Sequence, residues 1–257
     1  MSVSINGSGA ITFNDNTTQA SAQVGMKNRL IDAGFIINQR GYASGTSLSS
    51  GAYAHDRWKA GSSGCTYTFT QGSLGVPITL TITAGSLQQI VEGCNMAEGG
   101  TFVLSWTGTA QAKINGGSYS ASPLVVTGLT AGANCTVEFG TGTVSQPQLE
   151  KGSTATSFDY RPYGTELALC QRYYQIVALN LYNGNPGANE YHSVPIAYLA
   201  QMRATPTAGT ISGGTQLNLF FSAIESLTPF GARFTIGAST ASDAGYIGAQ
   251  APLSAEL

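Results

Sequence analysis

Between Ile78 and Thr83 the chain reads Ile-Thr-Leu-Thr-Ile-Thr, the period of two that a strand with one buried face requires. The same alternation, bounded by Gly, Ser and Asn, predicts strands at Thr66 to Thr70, Phe102 to Trp106 with a continuation at Ala110 to Ile114, Leu124 to Val126, Thr136 to Phe139 and Val144 to Leu149. A more continuous apolar run from Leu30 to Asn38 predicts an additional first strand, stopped by Gln39-Arg40-Gly41. Short strands at this spacing, without the strand–helix–strand rhythm of a parallel sheet, predict an all-β fold with a jelly-roll β-sandwich over residues 28–164.

Past the break at Arg161-Pro162 the pattern changes. Leu167, Cys170 and Tyr174 fall at i, i+3 and i+7, which predicts one short helix from Thr165 to Val177, with Thr165 as its cap and Glu166 at the positive end of its dipole. Strands are again predicted at Ser193 to Ala200, Leu217 to Ser222 and Ala232 to Ile236. Residues 165–257 are therefore expected to form a smaller β-rich C-terminal domain, of a size at which oligomerisation begins to help supply a core, and to carry trimerisation and receptor contact. Residues 1–27, with Ile5, Ile11 and Phe13 isolated in a Gly, Ser, Asn and Thr background, are expected to be an attachment arm.

Composition narrows the function. Of 257 residues 42% are hydrophobic and only 9% charged, against about 25% charged in ordinary soluble domains. The surface is thus built from Ser, Thr, Asn, Gln and Gly, a pattern that excludes charge-driven disorder and suits rigid β surfaces. A net charge of −2, with 11 basic residues scattered singly, argues against nucleic acid as a partner. Residues 1–25 lack the basic start and apolar core of a signal peptide, and no window resembles a membrane span, so the chain is expected to be neither exported in this form nor membrane-embedded. Cys65, Cys94, Cys135 and Cys170 lie far apart with no CxxC, and are expected to be buried free thiols made in a reducing cytosol, against the rival reading of two disulfides in an exported protein, which the spacing leaves open.

No catalytic constellation stands out, and neither cofactor nor metal is expected. His55 and His192 are the only histidines, GxSxG and HExxH are absent, and His55 beside Asp56 would point to the opposite face of a strand. The carboxylates Glu92 and Glu98, or Asp159 and Glu166, lie near each other in sequence, but nothing there sets the spacing a glycosidase needs. Trp58 is expected to be a buried anchor, and Glu150 with Arg161 a charge pair closing the last strand of the sandwich. The stretch from Leu181 to His192 combines amides and aromatics, the chemistry that packs on a sugar ring and satisfies its hydroxyls. It marks Tyr182, Asn183, Asn185, Asn189, Tyr191 and His192 as candidate carbohydrate-binding residues, against the plainer reading of a polar turn.

Three stretches resemble bacteriophage tail-fibre and appendage proteins. Ile11 to Gln19, Ile-Thr-Phe-Asn-Asp-Asn-Thr-Thr-Gln, is similar to the motif with which many such virion proteins begin. Lys27 to Ile31, Ile37 to Gly41 and Asp56-Arg57-Trp58 resemble the opening of their jelly-roll module. Gln148 to Phe158, running into Arg161 to Leu167 and Cys170 to Tyr174, is the third, and Pro195 to Thr207 resembles their terminal domain. The resemblance implies a non-enzymatic virion structural protein, a homotrimeric fibre or receptor-binding protein. Such a protein would be made in the host bacterial cytoplasm, join other virion proteins through residues 1–27, and mediate attachment to bacterial surface polysaccharide. The alternatives are a head or tail connector without receptor contact, a free carbohydrate-binding module, for which an export signal is missing, and a polysaccharide depolymerase, for which a carboxylate pair is missing.

Overall fold

The computed structural model describes residues 4–5, 11–12, 18–19, 26–183, 187–212, 216–238 and 245–257. Their fold is all-β, a β-sandwich followed by a smaller β-rich unit, with one short α-helix where the two meet. The strands are β1 (Ser4–Ile5), β2 (Ile11–Thr12), β3 (Thr18–Gln19), β4 (Ser47–Leu48), β5 (Lys59–Thr68), β6 (Thr79–Val91), β7 (Gly100–Thr107), β8 (Ala112–Ile114) and β9 (Leu124–Leu129). They continue as β10 (Cys135–Phe139), β11 (Gly142–Lys151), the helix α1 (Tyr163–Gln171), β12 (Tyr174–Asn183), β13 (Tyr191–Ala197), β14 (Thr207–Ala208), β15 (Gln216–Leu217), β16 (Phe220–Glu225), β17 (Gly231–Gly237) and β18 (Gly245–Ser254). In the expected arm, β1, β2 and β3 pair as an antiparallel meander. Most other residues of the arm lie outside the described ones.

The sandwich is a single sheet that folds over itself along β6. The first part of β6, Thr79 to Ile82, pairs with β11, and its last part, Leu87 to Val91, pairs with β10. The change of partner falls around Gly85, whose φ is +68° and where a Cβ would sit 2.0 Å from the Gly64 carbonyl oxygen. Glycine supplies both the left-handed backbone and the room for β5 and β6 to cross. Between the layers lie Trp58, Tyr67, Phe102, Trp106 and Phe139, the Trp106 and Phe139 rings edge to face at 5.3 Å. Each such side chain contributes roughly 1.5–3 kcal/mol on burial. Trp58 is fully buried, as expected, and its indole N–H donates to the Asp32 carbonyl at 2.9 Å.

Several expectations are corrected. Leu30 to Asn38 is not a strand: Asp32 and Phe35 have φ of 51° and 53°, and the Asp32 carboxylate accepts the Ile36 and Ile37 N–H groups at 2.8 and 3.0 Å. The side chain closes turns where a ladder would otherwise run, while Leu30 and Phe35 still reach the core. His55 and Asp56 lie not on a strand but in the buried turn before β5. The helix spans Tyr163–Gln171, with Pro162 and not Thr165 at its N-cap, and it ends before Tyr174 because Tyr174 to Asn183 pair continuously with β18. Glu150 and Arg161 do not pair. Arg161 holds Glu166 at 3.0 Å, and Glu150 accepts from the Thr156 N–H at 2.8 Å and its hydroxyl at 2.7 Å. All four cysteines are free, but Cys94 is exposed.

In the C-terminal unit two sheets face each other, β12-β18-β14 with β15 also on β18, and β13-β17-β16. Val177, Leu179, Phe234, Ile236, Ile247 and Leu253 fill the space between them. This unit meets the sandwich through a buried apolar cluster of Ile31, Ile37, Cys170 and Tyr173, with Leu257 packed against it, and through charge pairs. Residues 255–257 return to the junction, where Glu256 pairs with Arg57, and with Arg40 at 3.0 Å. The Arg57 and Arg40 guanidinium groups lie 3.6 and 3.7 Å from the ring centres of Tyr173 and Tyr174. Arg40 also meets Asp56 at 3.0 Å, yet burial outweighs this partner and pushes the Asp56 carboxyl up to about 6. Arg203 reaches back to Glu92 at 2.8 Å, and the Leu257 carbonyl accepts from Lys59 at 2.7 Å.

Candidate functional site

β12 leaves the junction at Tyr174 and runs to Asn183, so its last residues lie roughly 27 Å away, at about 3.3 Å per residue. At that distal end the two sheets turn aromatic side chains outward. Tyr182 lies directly opposite Tyr246 on β18, and Tyr246 opposite Leu217 on β15, so the three form one row across the outer face of their sheet. All three are exposed, Tyr182 most of all at 70%.

A second row crosses the other sheet. Tyr191 on β13 and Phe220 on β16 both lie opposite Gly237 of β17. The absent side chain lets the two rings meet above it, edge to face, with centroids 6.2 Å apart. A Cβ on Gly237 would come within 2.5 Å of the Phe220 ring. Tyr191 keeps 62% of its surface open.

The sequence-derived candidates are thus gathered at one end of the unit but not into one pocket. Tyr182 and Tyr191 are exposed on different sheets. Asn189 takes the left-handed conformation, φ 61°, that closes the turn before β13, and its N–H donates to Ala238 at 2.8 Å. The His192 ring lies 3.4 Å from the Glu190 carboxylate. Asn183 pairs through its backbone with Gly245, its side chain being outside the described residues, as is all of Asn185. Tyr246, Leu217 and Phe220 complete the rows and were not marked from sequence, because only strand register brings them beside Tyr182 and Tyr191.

On one flank of the same unit β12 and β13 are both edge strands among the described residues, with an open cleft of about 590 Å³ between them. Val177, Leu179, Val194, Ile196 and Phe234 line it. Over its ten residues β12 carries no proline, no charged side chain and no break in register, the devices that ordinarily protect an edge.

Elsewhere the polar residues are engaged in structure. His55 Nδ1 meets the Tyr67 hydroxyl at 2.7 Å and burial pulls the imidazole down to about 4, while Asp56 is held by Gln39 and Arg40. Asp159 accepts the Asn28 N–H at 3.2 Å, and Glu166 binds Arg161. Among the described residues no three His, Cys, Asp or Glu side chains gather as a metal site, and no helix is long and apolar enough to cross a membrane. No protein-family model matches the chain, and neither do any curated protein or solved structure.

Proposed function

We propose that this chain is an adhesive structural protein of a bacteriophage virion, a homotrimeric fibre or receptor-binding protein whose C-terminal unit contacts bacterial surface polysaccharide. The observation that carries the reading is the pair of exposed aromatic rows, Tyr182 with Tyr246 and Tyr191 with Phe220, at the end of the unit farthest from the junction. An aromatic face packs on the apolar face of a pyranose, and neighbouring amides satisfy its hydroxyls. The resemblance of Ile11 to Gln19 and of Gln148 to Tyr174 to tail-fibre proteins supplies the virion context.

Trimerisation is supported by the unprotected β12 edge and its apolar cleft, which association of copies would cover. Three copies multiply weak sugar contacts by avidity, by a factor of roughly 10²–10⁴ without any new contact. Light scattering on the full chain then gives three times the chain mass. Adsorption of the purified protein to host cells is competed by their surface polysaccharide, and the double variant Tyr182→Ala, Tyr191→Ala loses it with unchanged mass and melting temperature. Undiminished adsorption by that variant overturns the assignment of the tip. A monomeric full chain overturns the fibre reading.

A further inference from the structure

The turn that runs from Leu30 to Asn38 holds, at Asp32, a carboxyl group with no exposed surface. Its Oδ1 accepts the Ile36 and Ile37 N–H groups that close the turn, while its Oδ2 is buried and has no hydrogen-bond partner. The main chain of the same residue joins the sandwich to α1: its carbonyl accepts from the Trp58 indole, and its N–H donates to the Glu166 carboxylate. Ile31, Ile37, Cys170 and Tyr173 give this seam an apolar lining.

Charge along the seam is unbalanced. Five carboxyl groups, those of Asp32, Asp56, Asp159, Glu166 and Glu256, stand with three arginines, Arg40, Arg57 and Arg161. Arg40 is taken by Asp56 and Glu256, Arg57 by Glu256, and Arg161 by Glu166 and Asp159. No ion pair among the described residues includes Asp32. The strongest charges acting on it, Asp56 from the turn before β5 and Glu166 from α1, are both negative. Tyr67 and Cys170 also feel it and are uncharged. The Tyr67 hydroxyl is bonded to His55, itself held neutral by burial, and burial pushes the Cys170 thiol up. Burial, and after it the charge of Asp56, push the Asp32 carboxyl well above the usual carboxylate range, and the two turn N–H groups offset this in part. An ionised Asp32 would be a buried anion with no counter-ion and one oxygen unpaired, the costliest state such a group can take.

We propose that Asp32 is a proton-binding site, occupied in the folded protein at neutral pH, and that its proton latches α1 to the sandwich. α1 leads through Tyr173 into β12, so the C-terminal unit hangs from the same latch. The seam then responds to pH in one direction. When it opens, Asp32 meets water and loses its proton above about pH 4. Each unit rise in pH therefore favours the open form about tenfold, until the carboxyl ionises in the closed form as well. Alkaline conditions loosen the C-terminal unit and acid fastens it. Asp56 adds a response of the same sense below about 6, and His55 one of the opposite sense below 6.5, so Asp32 is isolated above neutral pH. The latch stands independently of the adhesive reading, because no residue of the aromatic rows takes part.

The test is hydrogen exchange of the α1 amides, Tyr163–Gln171, in the full chain between about pH 7 and pH 9, corrected for intrinsic base catalysis. In the parent the opening constant is expected to rise about tenfold per pH unit. In Asp32→Asn, which keeps the shape and the turn acceptor but does not ionise, it is expected to stay level. A level response in the parent, or equal slopes in the two proteins, overturns the proposal. A second measurement needs no variant. The infrared spectrum of the parent at about pH 8 is expected to show the carbonyl stretch of a protonated carboxyl, and a spectrum without it overturns the proposal even if Asp32→Asn does not fold. An Asp32 that merely closes its turn as a carboxylate predicts the reverse of both results.

Discussion

Tyr191 and Phe220 touch edge to face across Gly237, a residue that belongs to neither of their strands. The contact exists because the middle strand of three has no side chain at that register, so two rings that would otherwise be second neighbours become first neighbours. Gly237→Ala places a methyl group where the Phe220 ring lies. The Cβ would meet only the tip of the Phe220 ring, which is 38% exposed and can turn aside, so stability read by urea denaturation is expected to change by no more than about 0.5 kcal/mol while the edge-to-face contact is lost. Host-cell adsorption falls if the rows act as one surface. Undiminished adsorption by Gly237→Ala would show that they do not.

Glu256 is the counter-ion of Arg57, whose side chain is 1% exposed. Removing one member of a buried pair leaves the other uncompensated, so Glu256→Ala is expected to lower stability by about 3 kcal/mol. Replacing both, as Arg57→Met with Glu256→Leu, recovers part of that loss because no lone charge is left. Equal losses in the single and double variants would show that packing of residues 255–257, and not charge, fastens the two units.

His55 and Asp56 pull the acid stability in opposite directions. The imidazole is held near 4 by burial, below the 6.5 of an exposed histidine. The unfolded chain therefore takes the proton first, and stability falls as pH drops from 6.5 through 4. The Asp56 carboxyl, raised to about 6, binds its proton more tightly when folded and adds stability as pH falls from 6 towards 3.8. In His55→Gln only the second effect survives. Relative to the parent, its stability is expected to rise by about 3 kcal/mol between pH 7 and pH 4. Parallel pH profiles would mean that His55 is not held neutral in the folded protein.

Cysteine reactivity gives a local check of burial. Cys65 and Cys135 are buried with thiols pushed up to about 12 and about 11, and the fully buried Cys170 is pushed up as well. Cys94 is exposed, its thiol raised by desolvation and the neighbouring Glu92. Iodoacetamide on the native protein is expected to label Cys94 alone, and on the denatured protein all four without reductant. A disulfide-linked peptide would overturn the free-thiol assignment.

The sandwich strands were legible because their period of two is strong: Thr79 to Ile82 alternate between buried and less buried positions as written in the sequence. β12 was hidden because Tyr174-Gln-Ile-Val follows a helical stretch without a Gly or Pro to mark the change, and only its pairing with β18 decides its conformation. β18 itself, Gly-Tyr-Ile-Gly-Ala-Gln-Ala-Pro-Leu-Ser, is too rich in small residues to announce a strand. Leu30 to Asn38 failed in the other direction, since an apolar run says that residues are buried and not by what backbone. At the tip, composition pointed to Tyr182 and Tyr191. Tyr246 and Phe220 were found only through register, which joins residues far apart in sequence.

The return of residues 255–257 to the junction has a mechanical meaning. Tyr174, where β12 begins, lies opposite Ser254, where β18 ends, so both strands are moored at the same base. A pull on the distal end stretches the two backbones side by side. Their ladder feels no sliding of one strand past the other, and its hydrogen bonds are not peeled one at a time. The tension divides between two tethers, one held through Tyr174 stacked under Arg40 and the other through Glu256 gripping Arg57.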